Sequence, residues 1–187
     1  MSLNTPRVAP LPLDQVPDED VALFGGRDNP RNQLNFFKVL VQHPTLLKNY
    51  EPMAMQLGRQ PSLPLRDKEI LILRTSGLCK ETYELAHHFV IARQAGMTDE
   101  EIKAALEGSE GLSPFEQALV KAAEELVSEH CISDATWAVL AERYTTKQLI
   151  ELVFMVANYT LLAMVNNSLG IQTETDIEKA WKPTDKD

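Results

Sequence analysis

From Gln33 onward, apolar residues recur at spacings of three and four, the period of a helix with one buried face. Leu34, Phe37, Leu40 and Val41 make the first such stripe. Pro44 interrupts it and HPTLLKNYEPMAMQLG continues as a second amphipathic piece, so the pattern predicts two helices meeting at a bend. The run Ile70, Leu71, Ile72 and Leu73 in KEILILRTSGLC reads equally as a buried strand by periodicity. Pro64 and Asp67 at its start, and the absence of a second strand-like segment for it to pair with, favour a helix. ETYELAHHFVIARQAG follows as a long helix closed by Gly96, and Thr98 opens the next with the capping box TDEE, Thr98 to Glu101. SPFEQALVKAAEELVSEH starts on a Ser113 cap, a first-turn Pro114 and a reciprocal Glu116; SDATWAVLAERY starts on a Ser133 cap. TTKQLIELVFMVANYTLLAMVNNSLG, ending at Gly170, is apolar nearly all round, which suits a core or a subunit interface. The whole reads as an all-α multi-helix bundle of about eight helices.

Outside that pattern lie two ends of different texture. Five of the eleven prolines fall within residues 1–30, an extended Pro-rich arm that is acidic from Asp14 to Asp20 and is either frayed or laid across the body or a neighbouring subunit. Residues 31–172 form a single all-α domain, which a chain of 187 residues can core well. Residues 173–187 are a polar tail expected to lack regular structure apart from Trp181. The net charge of -9, with no cluster of Lys or Arg, gives a phosphate backbone nothing to bind, so nucleic acid is excluded as a partner. No leader-like N-terminus and no bilayer-length apolar window are evident, which points to the cytoplasm and away from a membrane. Cys79 and Cys131 stand far apart, without a CxxC, and read as buried small hydrophobes.

The chemistry concentrates in ETYELAHH. At about 100° per residue, Glu81, Glu84 and His88 share one stripe of a helix, with Tyr83 and His87 to its sides. Two carboxylates beside one imidazole are a means of poising a general acid next to a general base. A plainer reading is a surface pair of Glu84 with His88, with Glu81 complementing the helix dipole. A metal reading of Glu84 and His87 as E-x-x-H wants a second such pair, which the chain does not contain. His43, before Pro44, and His130, at a helix end, read as structural. G-x-S-x-G, P-loop and G-x-G-x-x-G motifs are absent.

The stretch EILILRTSGLCKETYELAHHFVIARQAGMTDEEI resembles the carboxymuconolactone decarboxylase family, which shares the alkylhydroperoxidase AhpD-like fold. That family's pattern has two functional positions three apart, a histidine four later, then alanine and glycine at further steps of four. These fall on Glu81, Glu84, His88, Ala92 and Gly96, and the family's glutamate on the preceding helix falls on Glu69. Less specifically, the resemblance runs from about Gln33 to residue 171. In the peroxidase branch the paired positions are redox cysteines; here they are glutamates, and YELAHH is similar to the Y-E-W-A-H-H of the decarboxylase-like branch, with Leu85 in place of tryptophan. The resemblance implies a cofactor-free carboxy-lyase acting on a small carboxylated lactone or aromatic ring-cleavage product. It implies His88 as proton donor or shuttle, Glu84 as its orienting partner and Glu69 with Glu81 tuning the pair. Tyr83, Arg74 and His87 are candidate substrate contacts, Arg74 being either a carboxylate clamp or a structural ion pair. Members of the family assemble, so a homo-oligomer (dimer, trimer or hexamer) is expected. The competing expectations are a non-catalytic helical oligomer or small-molecule binding module and, as a minor one, a residual hydroperoxidase.

Overall fold

The fold is built around one helix that is buried on every side. In the computed structural model, which describes residues 3–181, ten α-helices follow in order: α1 (Asp18–Ala22), α2 (Asn35–Leu40), α3 (Pro44–Arg59), α4 (Leu65–Leu78), α5 (Tyr83–Gln94), α6 (Asp99–Glu107), α7 (Pro114–Ser128), α8 (Asp134–Ala141), α9 (Thr146–Leu169) and α10 (Thr175–Trp181). Eight of them have seven residues or more, and no strand occurs among the described residues. Residues 1–2 and 182–187, the outer ends of the arm and of the polar tail, lie outside the described residues.

Helix α4 packs against α5, α6, α7 and α9 at once. Ile70, Leu71, Ile72 and Leu73 are therefore all fully buried, and the helix has no solvent face to print a period of 3.6 into its sequence. That is why ILIL was ambiguous with a strand. Polar residues are buried in it as well, and two find partners inside: Asp67 accepts the Tyr144 hydroxyl at 2.6 Å, and the Thr75 hydroxyl donates to the Leu71 carbonyl at 2.7 Å.

The helix ends follow their sequence signals. Thr98, Ser113 and Thr145 each form a reciprocal capping box, Ser133 caps α8, and His43 caps α3 through a ring nitrogen that accepts the Leu46 N–H. Gly170 ends α9 at φ 71°, and a Cβ there would meet the Thr5 carbonyl at 3.0 Å, so both the left-handed turn and the crossing chain require glycine.

The N-terminal segment lies across the body. The Arg7 N–H donates to the Leu169 carbonyl at 2.8 Å and the Leu11 N–H to the Lys38 carbonyl at 2.9 Å. Val16, Val21 and Phe24 join Phe37, Val41 and Leu47 in a small second core, where Phe24 meets Phe37 edge-on.

Three expectations are corrected. The tail is helical over α10, which packs on α5; seven mostly polar residues lack a strong pattern of their own, and docking supplies what the pattern does not. Cys131 is exposed, in the turn between α7 and α8 after His130 at φ 60°, where no element covers it; Cys79 is half-buried. Helix α9 is apolar and long enough by composition to span a bilayer, but half of that stretch is buried within the bundle.

Candidate active site

Five segments converge on a cleft of about 480 Å³, a size suited to a small organic ligand. Helix α4 brings Lys68 to its lining, α5 brings Glu84 and His88, α9 brings Asn158 and Tyr159, and α3 with residues 31–37 closes the opposite side. Phe36, Leu47, Ile91 and Leu162 give the cleft apolar walls.

His88 is the centre of the polar array and is almost completely buried. Its Nδ1 stands 2.6 Å from Glu69 Oε2, and its Nε2 stands 2.9 Å from the Tyr159 hydroxyl and 3.7 Å from Glu84 Oε2. Glu69, fully buried behind the histidine, also pairs through Oε1 with the Lys68 ammonium at 2.9 Å. Burial pushes the Glu69 carboxyl up, but His88 and Lys68 outweigh it and hold the pKa below the ordinary value. An ionised Glu69 can only accept, so Nδ1 carries a hydrogen, and in the neutral ring Nε2 is then the acceptor of the Tyr159 O–H. Burial first, then the charges of Glu84 and Glu69, raise the Tyr159 pKa well above normal and keep it a donor.

Glu84 faces the cleft. Burial raises its pKa, more than the neighbouring His88 and His87 lower it, the direction that suits a carboxyl able to give a proton. Tyr50, across the cleft, donates to Asn158 Oδ1 at 2.8 Å.

The sequence-derived candidates divide into two groups. Glu69, Glu84 and His88 come together, but Glu69 rather than Glu84 orients the ring by a hydrogen bond. Glu81 is not on the stripe, because α5 begins at Tyr83. Its carboxylate folds back over the helix start, Oε1 accepting the Tyr83 N–H at 2.7 Å and Oε2 the Glu84 N–H at 2.8 Å, with Asn166 Nδ2 at 3.3 Å. It lines a separate polar hollow with Asn166 and Gln172, not the His88 cleft. Tyr83 and His87 also lie outside the cleft and converge on Glu174: the Tyr83 hydroxyl donates to Oε1 at 3.0 Å and His87 Nε2 stands 3.1 Å from Oε2. Arg74 pairs with Glu124 and donates to the Leu106 carbonyl at 2.5 Å, a tie between α4, α6 and α7 remote from the cleft lining. Its even choice between clamp and structural ion pair resolves to the second.

Lys68, Tyr159, Asn158, Tyr50 and Glu174 were missed. Lys68 had a visible signal, a lysine directly before the family glutamate; Tyr159 sits within an apolar helix where a tyrosine reads as core. Among the described residues no group of three or more His, Cys, Asp or Glu is arranged to hold a metal.

Glu81 yields a test of this geometry. Burial, then repulsion from Glu84, push its pKa up to about 7. A carboxyl whose pKa is raised by folding binds protons better when folded, so its contribution is fully present below the unfolded value and is lost as pH rises through about 7. The span from the ordinary 4.5 to about 7 corresponds to roughly 3 kcal/mol at most. Urea unfolding of wild type beside Glu81→Gln, from pH 4.5 to 8, should show the wild-type advantage shrinking with rising pH; a constant difference would refute the assignment.

Residues 44–126 match the model of the carboxymuconolactone decarboxylase family. No curated protein sequence matches the chain. Among solved structures, an uncharacterized peroxidase-related protein from Ralstonia eutropha JMP134 with an alkylhydroperoxidase AhpD core superimposes with a TM-score of 0.76 at 16% identity, covering 92% of this chain and 95% of that one. A peroxidase-related protein from Silicibacter sp. TM1040 gives 0.74 at 14% identity, with 97% and 95% covered. The debrominase Bmp8, in complex with 2,3,4-tribromopyrrole, gives 0.74 at 20% identity, with 95% and 96% covered. At these identities the likeness establishes the AhpD-like fold.

Proposed function

We propose, from the match of residues 44–126 to the carboxymuconolactone decarboxylase family, that the chain is a cofactor-free lyase acting in the cytoplasm on a small carboxylated lactone or a related ring-cleavage product. The observation that carries this reading is the Glu84 carboxyl, raised in pKa, 3.7 Å from His88 Nε2 in a cleft whose lining contains no thiol. Cys79, half-buried and outside that lining, has its thiol pKa raised by burial, the opposite of what a peroxidatic cysteine needs.

In the reaction the bond between ring carbon and carboxylate breaks, CO₂ leaves, and the electron pair moves into the conjugated lactone carbonyl. The resulting enolate takes one proton on carbon. Glu84 lines the open cleft and is the donor, and His88, whose Nε2 stands 3.7 Å from it in the same lining, takes a proton from cleft water and passes it to Glu84 to replace the one used. Glu69 fixes the ring tautomer and stabilises the imidazolium formed in transit. The Tyr159 hydroxyl, and the Glu84 carboxyl when protonated, are also the hydrogen-bond donors available to the enolate oxygen. The test is release of CO₂ from γ-carboxymuconolactone and a panel of lactone acids by the purified protein. Saturable turnover supports the reading; binding without turnover throughout the panel supports a small-molecule binding module in its place.

We also propose a homo-oligomer. Ile150, Phe154, Leu161 and Met164 repeat at helical spacing along the outer face of α9 and are 57%, 53%, 43% and 65% exposed, an apolar stripe that a second copy would cover. Light scattering after size exclusion should give a multiple of 21.0 kDa, and Phe154→Glu should shift it toward the monomer. A monomeric wild type would remove this proposal.

A further inference from the structure

With Arg74 engaged by Glu124, the carboxylate that the proposed substrate carries needs another cation, and the cleft supplies three. Arg31, Arg59 and Lys68 line it, against the carboxyls of Glu51 and Glu84. Glu69, behind the lining, pairs with Lys68 and Glu51 with Arg31, which leaves Arg59 as the cation of the lining without a partner among the described residues. Each cation is in a different condition. Arg31 is committed: it pairs with Glu51 and reaches the Met55 sulfur, and its pKa is lowered by burial and by the nearby charge of Arg59. Lys68, only 4% exposed, donates to the Gly58 carbonyl at 3.0 Å and pairs with Glu69, which leaves a further ammonium N–H for a ligand. Arg59, exposed in the last turn of α3, has no hydrogen-bond or ion-pair partner among the described residues, although its charge is felt at Arg31.

We propose that exposed Arg59 and buried Lys68, whose ammonium donates to the carbonyl of the adjacent Gly58, are the residues that bind and select the carboxylate of the ligand. This rests on the reading of the cleft as the reaction site and adds to it the source of specificity. The guanidinium offers a planar fork that matches a carboxylate bidentately, and no protein acceptor competes for it. An anion held by Arg59 also relieves the like-charge pressure between Arg59 and Arg31. Lys68 shares Glu69 with His88, so an anion on Lys68 is brought next to the proton relay. A plainer role for Arg59, complementing the negative end of the α3 dipole, accounts for its position but not for its place in the cleft lining.

The test uses terephthalate and its uncharged amide, terephthalamide, titrated calorimetrically into the whole protein, so it does not depend on turnover. Wild type should bind terephthalate about tenfold or more tighter than the amide, a preference that added salt weakens. Arg59→Gln should lose about tenfold for terephthalate with the amide unchanged, and Arg59→Lys should recover part of it. Lys68→Met should lose affinity in the same ligand-selective way, and Arg59, on the surface, keeps the test decisive if that buried variant does not fold. Equal binding of acid and amide by wild type, no binding of either, or an Arg59→Gln protein with lowered melting temperature and unchanged terephthalate affinity, each overturns the proposal. If Arg59 proves selective for the acid yet no lactone acid is turned over, the lyase reading fails while this assignment stands.

Discussion

Replacing His88 with alanine is expected to lower decarboxylation by two to four orders of magnitude, the range that a positioned acid–base group supplies. His88 is the one side chain that touches Glu69, Tyr159 and Glu84 together, at 2.6, 2.9 and 3.7 Å, so its loss interrupts every route by which a proton reaches the cleft through the array. The deleted ring borders an existing cavity, and water can fill the space and partner Glu69 and the Tyr159 hydroxyl. A folded, inactive protein is therefore the expected product. Rates of CO₂ release should be measured for wild type and His88→Ala across pH 5 to 9, with circular dichroism and a melting curve on both. Wild-type turnover in a folded His88→Ala protein would remove the relay from the mechanism. Loss of turnover that tracks loss of fold would make the histidine structural.

What the sequence disclosed about this site depended on whether a residue's task was local. Caps at Thr98, Ser113 and Ser133 act over three residues, so the chain around them states their role, and helix boundaries there follow the pattern. Spacing alone put Glu84 and His88 on one face of α5; Glu69 joins them because α4 and α5 are neighbours in a bundle, which the family resemblance implied and spacing could not. Glu81 departed from the stripe because the helix starts two residues later than ETYELAHH suggests; a glutamate just before a helix is drawn to its free N–H groups, and helical angles do not apply to it. Arg74 and Tyr159 needed tertiary knowledge. Which carboxylate an arginine meets across a bundle, and which tyrosine of an apolar helix turns toward an imidazole, are set by the packing of α4 against α7 and of α5 against α9.

The largest effect on stability is expected from Glu69→Ala, about 3–5 kcal/mol, the cost of breaking a buried ion pair from one side. Glu69 is fully buried and serves two partners, the Lys68 ammonium at 2.9 Å and the His88 ring at 2.6 Å. Without it, a lysine that is 4% exposed keeps its charge with only the Gly58 carbonyl as protein partner, and His88 Nδ1 loses its acceptor. Against a typical total of roughly 5–15 kcal/mol that is a large fraction. Glu69→Gln should cost less, since it keeps the shape and one acceptor for His88. Adding Lys68→Met to Glu69→Gln should recover part of the loss, because the two charges then leave together. The sign with pH follows from the lowered Glu69 pKa: its contribution is present above the unfolded value and fades as pH falls through the folded one. Urea unfolding at pH 7 and at pH 3.5 should thus show a wide gap between wild type and Glu69→Ala at the first and a narrower one at the second. A gap under about 1 kcal/mol at pH 7 would mean that Lys68 reaches water once its partner is gone, and the buried cation of the cleft would then be a mobile group and not a fixed one.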